Sequence, residues 1–321
     1  MQTRLTELLE IEHPVMLAGM GGVSYHRVAA AVSEAGGFGC LGASTMGHEE
    51  MNQEIAATRA ATQKPFGVDL LTAAPQDMVA KVRDIASGGA TVFVAGLGVP
   101  REVIEECHSL NLLVANMCGK VKHAVMAVEA GCDLVIAQGT EAGGHTGQIA
   151  TMALVPQIVD VIAGRIPVVA AGGLFDGRGL AASLALGADG IWVGTRFIAT
   201  PEARAVAGYK ETLLALAEDG TTVSRAYTGK TCRVVRNDYT QAFEDSGAVP
   251  QPFPMQVIKS MEDGANHLGG DLSATGVDPR QEFMPAGQGV GAIDELVPAG
   301  ELVRRFVSEA EAVMDRVSAL R

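Results

Sequence analysis

Two kinds of residue in this chain have the type and spacing for chemistry: one histidine set among glycines, and glycines that follow short apolar runs. The histidine is His145, in AQGTEAGGHTG (137–147). It stands on a glycine-rich loop just past an apolar run, not on the apolar face of a helix, and an imidazole with an ordinary pKa near 6.5 can move a proton either way at neutral pH. His13, His26, His48, His108, His123 and His267 lack such a setting and read as structural. Glu141, four residues before His145, either orients that histidine or caps the following helix, with capping the better reading. The glycine signals are AAGG (170–173), with a pair, and VGTRF (193–197), with a single glycine followed by threonine. Bare backbone there can turn its N–H groups on phosphate oxygens, so Gly172, Gly173, Gly194 and Thr195 form a candidate phosphate cradle. The plainer reading, tight turns only, does not explain why such signals recur on consecutive strand ends.

These residues must be held by a framework, and its parts are legible. Short runs rich in apolar and β-branched residues recur as PVMLAG (14–19), GFGCLG (37–42), FGVDLL (66–71), TVFVAG (91–96), LLVANM (112–117), DLVIAQG (133–139), IPVVAAGG (166–173) and GIWVGT (190–195). Alanine-rich segments of helical period separate them, such as HRVAAAVSEAGG and GRGLAASLALGA. Near-continuous apolar strands alternating with amphipathic helices indicate parallel β/α units. Eight units close a (β/α)8 TIM barrel, in which ligands sit at the C-terminal strand ends, where His145 and the glycine signals fall. An open doubly wound sheet is the alternative, but no early GxGxxG opens a first helix. The expected organisation is a barrel of residues 1–200 and 286–321, with residues 201–285 inserted as a smaller lobe of helices and irregular connections over the barrel mouth. PQPFP (250–254) and GGDLSATGVDP (269–279) interrupt any period in that lobe. The closing stretch ELVRRFVSEAEAVMDRV reads as an amphipathic helix that finishes the barrel wall.

Composition narrows the chemistry further. The 321 residues are 48% hydrophobic and 19% charged, an ordinary globular balance, and 39 glycines suit many tight strand-to-helix turns. A net charge of −13 without any Lys/Arg run argues against nucleic acid as a partner. No apolar stretch reaches the roughly 20 residues that span a bilayer. The start MQTRLTELLEIEHPV lacks a signal peptide's apolar centre, so the expected location is cytoplasmic. The five cysteines (Cys40, Cys107, Cys118, Cys132, Cys232) are scattered and odd in number, and read as buried free thiols. No lysine ends an expected strand, as a Schiff-base aldolase would need, and no His-x-His or carboxylate cluster marks a metal site. A phosphate cradle, one acid–base histidine and no covalent nucleophile imply that a bound ligand does the difficult chemistry, and a flavin fits that requirement.

Together, AGMGGVS (18–24), KPFGVDLL (64–71), AQGTEAGGHTG, PVVAAGGLFDGRGLAASLALGADGIWVGTRF and AGQG (286–289) resemble the nitronate monooxygenase family, formerly 2-nitropropane dioxygenases, and the closely related FMN-dependent enoyl-ACP reductases II. The likeness runs over nearly the whole chain and is densest from Asp133 to Thr200. It implies an FMN barrel with His145 as the catalytic group. It also implies flavin contacts from Gln138, Gly143, Gly173 and the segment Trp192, Val193, Gly194 and Thr195, with Gly19, Met20 and Gln288 near the ring. One position departs from the family pattern: Asp69 stands where an asparagine usually contributes to the flavin site. Asp69 is then held protonated, or offset by a cation, or turned away to cap a helix.

Two activities follow from the resemblance. The leading expectation is oxidation of an alkyl nitronate with dioxygen to a carbonyl compound and nitrite, which Gln138 and PQPFP favour. The other is reduction of an enoyl thioester or a quinone with NAD(P)H as electron donor, which the start TRLTELLEIEHPV and the compact lobe suit about as well. A flavin- or phosphate-binding barrel without turnover is the third reading. The partner expected is a small-molecule substrate, with assembly into a homo-oligomer left open.

Overall fold

The computed structural model describes residues 1–72, 77–96, 98–268 and 277–320. Part of GGDLSATGVDP, residues 269–276, therefore lies outside the described residues. Each expected apolar run forms a strand: β1 (Val15–Leu17), β2 (Gly39–Gly42), β3 (Phe66–Leu71), β4 (Val92–Gly96), β5 (Leu113–Cys118) and β6 (Leu134–Gln138), then, after a two-residue strand β7 (Gly144–His145), β8 (Val168–Ala171) and β9 (Gly190–Val193). All the ladders are parallel, in the order β1-β9-β8-β6-β5-β4-β3-β2 apart from β7. A parallel bridge between Met16 and Phe38 joins β1 to β2, so the sheet closes on itself as a (β/α)8 TIM barrel.

Alternation along the strands divides the core in two. Leu17, Leu41, Val68, Phe93, Val135 and Ile191 point outward into the layer covered by helices. Met16, Phe38, Cys40, Val92, Ala115, Ile136, Val169 and Trp192 fill the interior. Helix α1 (Arg4–Leu9) plugs the lower end, burying Leu5 and Leu9 against these interior side chains, at about 1.5–3 kcal/mol for each side chain. Arg4 pairs with Asp189 at 2.8 Å just before β9, which holds the plug in place.

Helices α2 (His26–Glu34), α3 (His48–Ala61), α4 (Met78–Ser87), α5 (Arg101–Ser109), α6 (Val121–Ala130), α7 (Thr151–Ile162) and α8 (Gly177–Ala185) form the outer wall, and the short α9 (Thr195–Ile198) follows β9. The last helix, α13 (Ala299–Ser318), lies on α8 and α2 and completes the wall as its amphipathic sequence implied. Gly177 permits that approach, since a Cβ there would stand 2.6 Å from the Phe306 carbonyl oxygen.

Between α9 and α13 the chain forms α10 (Tyr209–Ala215), β10 (Thr221–Ser224), β11 (Cys232–Val235), α11 (Asp238–Ser246) and α12 (Met255–Glu262). The strand pair corrects the expectation of helices and irregular chain alone. TTVS and CRVV carry the β-branched residues of strands, but β11 finds its second partner in β7, in the loop after β6. All five cysteines are buried and free. Among the described residues no helix is long and apolar enough to cross a membrane.

Candidate active site

The loop after β6 is held from three sides. Glu141 Oε2 accepts hydrogen bonds from Thr151 N and Thr151 Oγ1, both 2.8 Å, so it caps α7, the better of its two sequence readings. Buried Arg233 on β11 donates through Nε to the Thr140 carbonyl at 2.9 Å. Gly144 and His145 pair with Arg233 and Cys232 in an antiparallel register. Gln138, at the end of β6, donates through Nε2 to the His145 carbonyl at 3.1 Å. His145 thus stands on a small sheet, not a free loop.

Its ring is tightly placed. Nε2 lies 3.1 Å from Thr228 Oγ1, and the Phe253 ring meets the imidazole edge-on, centroids 6.2 Å apart. Burial, reinforced by the charge of Lys230, pushes the imidazole down to about 4. The ring is neutral at pH 7. Thr228 Oγ1 accepts from Lys230 N at 3.3 Å and lies 3.2 Å from the Lys230 carbonyl, which takes the hydroxyl's single hydrogen. With that hydrogen on the carbonyl, Thr228 Oγ1 is left as an acceptor, which favours the tautomer with the hydrogen on Nε2 and the lone pair on Nδ1.

The glycine signals bring bare backbone to the same space. Gly172 and Gly173, following β8, have φ values of +110° and +73°, a left-handed run that glycine adopts readily, and both line the cavity. A Cβ on Gly172 would strike Thr151 Oγ1 at 2.8 Å. No protein acceptor is found among the described residues for the N–H groups of Gly173, Gly194 and Thr195. The AGQG segment links the parts of this cradle: Gly287 N donates to Thr195 Oγ1 at 2.9 Å and Gln288 N to the Glu141 carbonyl at 2.9 Å. Gly143 makes room for it, since a Cβ there would lie 2.8 Å from Gly287 N.

Asp69 belongs to the interior set of β3 and is buried beside Gly19. A Cβ on Gly19 would sit 2.2 Å from that of Asp69, so strand 1 can end in glycine only. Burial pushes the Asp69 carboxyl up to about 8. Of the three states open to it, the protonated one prevails at neutral pH. Met20 is fixed by Ser24, whose Oγ accepts from Met20 N at 2.6 Å, giving the AGMGGVS loop its shape.

One cavity of about 920 Å3 joins these parts. Gly19, Met20, Asp69, Gln138, Gly143 and His145 line it, and so do Gly172, Gly173, Trp192, Val193, Gly194 and Thr195. Gln288 does not; its side chain is exposed, while its neighbours Gly287 and Gly289 reach the wall. His26, His48, His108 and His267 pair with Glu54, Asp84, Asp133 and Glu282, as structural histidines do. His123 is exposed and lines the cavity together with Lys120. Sequence reasoning missed Asn116, Thr228, Lys230 and Phe253, which also line the cavity. Phe253 lies within PQPFP, a visible signal; Thr228 and Lys230 lie in TGKT, between two strands that had not been recognised.

The residues present fit FMN. Unpaired N–H groups of Gly173, Gly194 and Thr195 suit a terminal phosphate, and Trp192, Gly19 and Met20 form a wall where a flat ring can lie. A family model described as nitronate monooxygenase matches residues 2–80 and 71–309. Over its whole length the chain is 34% identical to a (3aS,4S,5R,7aS)-5-hydroxy-7a-methyl-1-oxo-octahydro-1H-indene-4-carboxyl-CoA dehydrogenase of Mycobacterium tuberculosis, covering 99% of that protein. Among solved structures it is similar to FabK from Thermotoga maritima (TM-score 0.89, 32% identity, all of both chains). It is also similar to a nitroalkane oxidase from Streptomyces ansochromogenes (TM-score 0.86, 31% identity, 98% of this chain and all of that one). Flavoprotein oxidoreductases of the FMN type are common to this group, and the chain is an oxidoreductase built as they are. It belongs to the nitronate monooxygenase family.

Proposed function

We propose that the protein is an FMN-dependent oxidoreductase that acts beside the carbonyl of a bulky acyl thioester, with His145 as proton acceptor. The carrying observation is the cavity. At about 920 Å3 it lies near the top of the roughly 300–1,000 Å3 range of ligand sites and has room for a flavin and a second large molecule. Phe253, Val257, Met261 and Leu268 give the lobe side of this wall an apolar surface suited to a fused-ring or long acyl group. Lys120 and His123 at the wall suit a phosphate-bearing carrier arm. The dehydrogenase relative, named for a carboxyl-CoA substrate, supports the same class.

FMN, when bound, supplies hydride and electron transfer. The chain's own residues hold its phosphate (Gly173, Gly194, Thr195), border its ring (Gly19, Met20, Asp69, Trp192) and exclude water from the reacting carbon (Phe253 and Val257). Neutral His145 takes the proton through Nδ1, while Thr228 and the His145–Gln138 backbone bond hold its ring. Gly143 and Gln288 keep a supporting role in this reading, through the packing of AGQG on the loop after β6.

Oxidation of an alkyl nitronate is the second reading, supported by Gln138 and the family's name. It needs the same proton acceptor when the substrate is the neutral nitroalkane. Anaerobic mixing of the FMN-loaded protein separates the two. Bleaching of the flavin by a bulky saturated acyl-CoA, or reoxidation of NAD(P)H-reduced flavin by its enoyl form, is the expected result. Bleaching by alkyl nitronates alone would give the second reading precedence.

A further inference from the structure

The cavity's charge is opposite to that of the molecule. The chain carries a net charge of −13, yet the one carboxylate among the described lining residues is Asp69. Burial keeps that group protonated at neutral pH. Against it stand Lys120, Arg196 and Lys230. Arg196 is buried and donates to the Glu295 carbonyl at 3.1 Å, so its role is structural, and Lys120 is exposed at the rim. Lys230 remains. It is part-buried, and its ammonium lies over the Phe253 ring, 4.6 Å from the centroid, while the same ring meets His145. Its backbone is tied to Thr228, the hydroxyl partner of His145. The ring neutralises none of the ammonium's charge, so the cation it positions can still attract an anion.

We propose that Lys230 forms an oxyanion subsite beside His145: its ammonium holds a substrate oxygen that carries, or develops, negative charge while the imidazole takes a proton from the neighbouring carbon. This rests on the proton-acceptor role given to His145 above and adds the group that makes that role feasible. In the step, the C–H bond breaks and its proton passes to His145. The bonding pair becomes a π bond to the carbonyl carbon of a thioester, or to the nitrogen of a nitro group. The displaced π pair settles on oxygen, next to Lys230. Without an anion there, burial first and the Lys230 charge second oppose protonation of His145. With the oxyanion between them, the two cations are bridged and the proton is held. The base therefore becomes effective only when its substrate is in place. The ligand class is a planar oxyanion or its neutral precursor: thioester enolate, carboxylate or nitronate.

Nitrate and acetate are simple planar probes. In the FMN-loaded protein, nitrate affinity is read from perturbation of the flavin spectrum and His145 protonation from NMR of the labelled imidazole. Lys230→Met should weaken nitrate and acetate binding about 10- to 100-fold, the range of one charge-assisted hydrogen bond, and Lys230→Arg should retain most of it. The His145 pKa should rise in Lys230→Met without ligand, and nitrate should raise it in the wild-type protein but not in that variant. Equal nitrate affinity in wild type and Lys230→Met overturns the subsite, and so does a loss confined to NAD(P)H. Should Lys230→Met fold poorly, Lys230→Gln and Lys230→Arg carry the same comparison. Exchange of the α-proton of an acyl thioester into heavy water tests the functional reading separately. Nitrate results as expected without exchange preserve the subsite and overturn that reading, whereas exchange with unchanged nitrate affinity does the reverse.

Discussion

His145 Nε2 and Thr228 Oγ1 lie 3.1 Å apart although they are 83 positions apart in the chain, so the imidazole proposed as proton acceptor is held by the segment that follows β9. That contact occupies Nε2 and leaves Nδ1, without a protein partner among the described residues, as the nitrogen for the proposed reaction. The Thr228 hydroxyl is engaged with the Lys230 peptide on both its donor and acceptor sides, so Nε2–H is the hydrogen it can still receive.

Thr228→Val removes this acceptor while keeping the shape of the side chain. The expected result is a mixture of imidazole tautomers by nitrogen NMR and a fall in kcat of about tenfold, the value of one hydrogen bond of 1–1.5 kcal/mol. Thr228→Ser should restore both. A single unchanged tautomer in Thr228→Val would remove the positioning role.

Replacing the base itself has a larger effect. His145→Ala should bind FMN normally, since the cradle uses other residues, and lose roughly 10²–10⁴-fold in turnover of any substrate that must give up a proton. Because burial and Lys230 hold the imidazole at about 4, the wild-type kcat/KM should be level through neutral pH and fall only as the pH approaches that value. An acid limb near 6.5, the ordinary histidine value, would contradict the buried, neutral ring.

Asp69 gives a pH dependence of opposite sign, in stability. Its carboxyl is pushed from 3.8 up to about 8 by burial. Between those values the folded chain holds a proton that the unfolded chain has released, so folding is opposed increasingly as pH rises from 3.8 towards 8. Asp69→Asn has no proton to keep. The Tm difference in favour of Asp69→Asn should therefore widen from about pH 5 to about pH 8, and the flavin midpoint potential of the Asp69→Asn holoprotein should lack the inflection that Asp69 ionisation adds near pH 8 to the flavin's own proton uptake. Parallel Tm curves would show that the carboxyl is solvated.

The cradle is best tested at Gly194. Its φ of −104° is open to any residue, and a Cβ would meet the flexible Met20 thioether at 3.3 Å and the Ala18 Cβ at an ordinary contact distance of 3.6 Å. Gly194→Val should keep the apoprotein Tm within a few degrees while weakening FMN by about tenfold or more, measured by quenching of flavin fluorescence. Gly173→Val is a less clean variant: at φ +73°, with Glu141 Cβ 3.0 Å from the new atom, it should lower Tm as well. Unchanged FMN affinity in Gly194→Val would move the phosphate elsewhere.

Much of this arrangement is written locally in the chain. Each barrel strand is buried on both faces and so reads as a short apolar run, and the helices between them show one apolar stripe; neither signal needs a distant partner. The turns around Gly144, Gly172 and Gly173 were legible for the same reason, since a left-handed turn at the end of a strand announces itself in its own glycines. Glu141 could be assigned as a cap from its position ahead of α7. The rest depends on contacts between segments far apart in sequence. The pairing of β11 with β7 makes His145 part of a sheet, and nothing in GGHTG encodes Cys232 as its neighbour. Thr228, Lys230 and Phe253 become site residues only because the inserted segment folds back over the barrel mouth. Asp69 reads as a charge along the chain, and only its place in the barrel interior, away from water, makes it a neutral acid. Periodicity is a property of neighbouring residues, whereas desolvation and the choice of a hydrogen-bond partner belong to the closed fold.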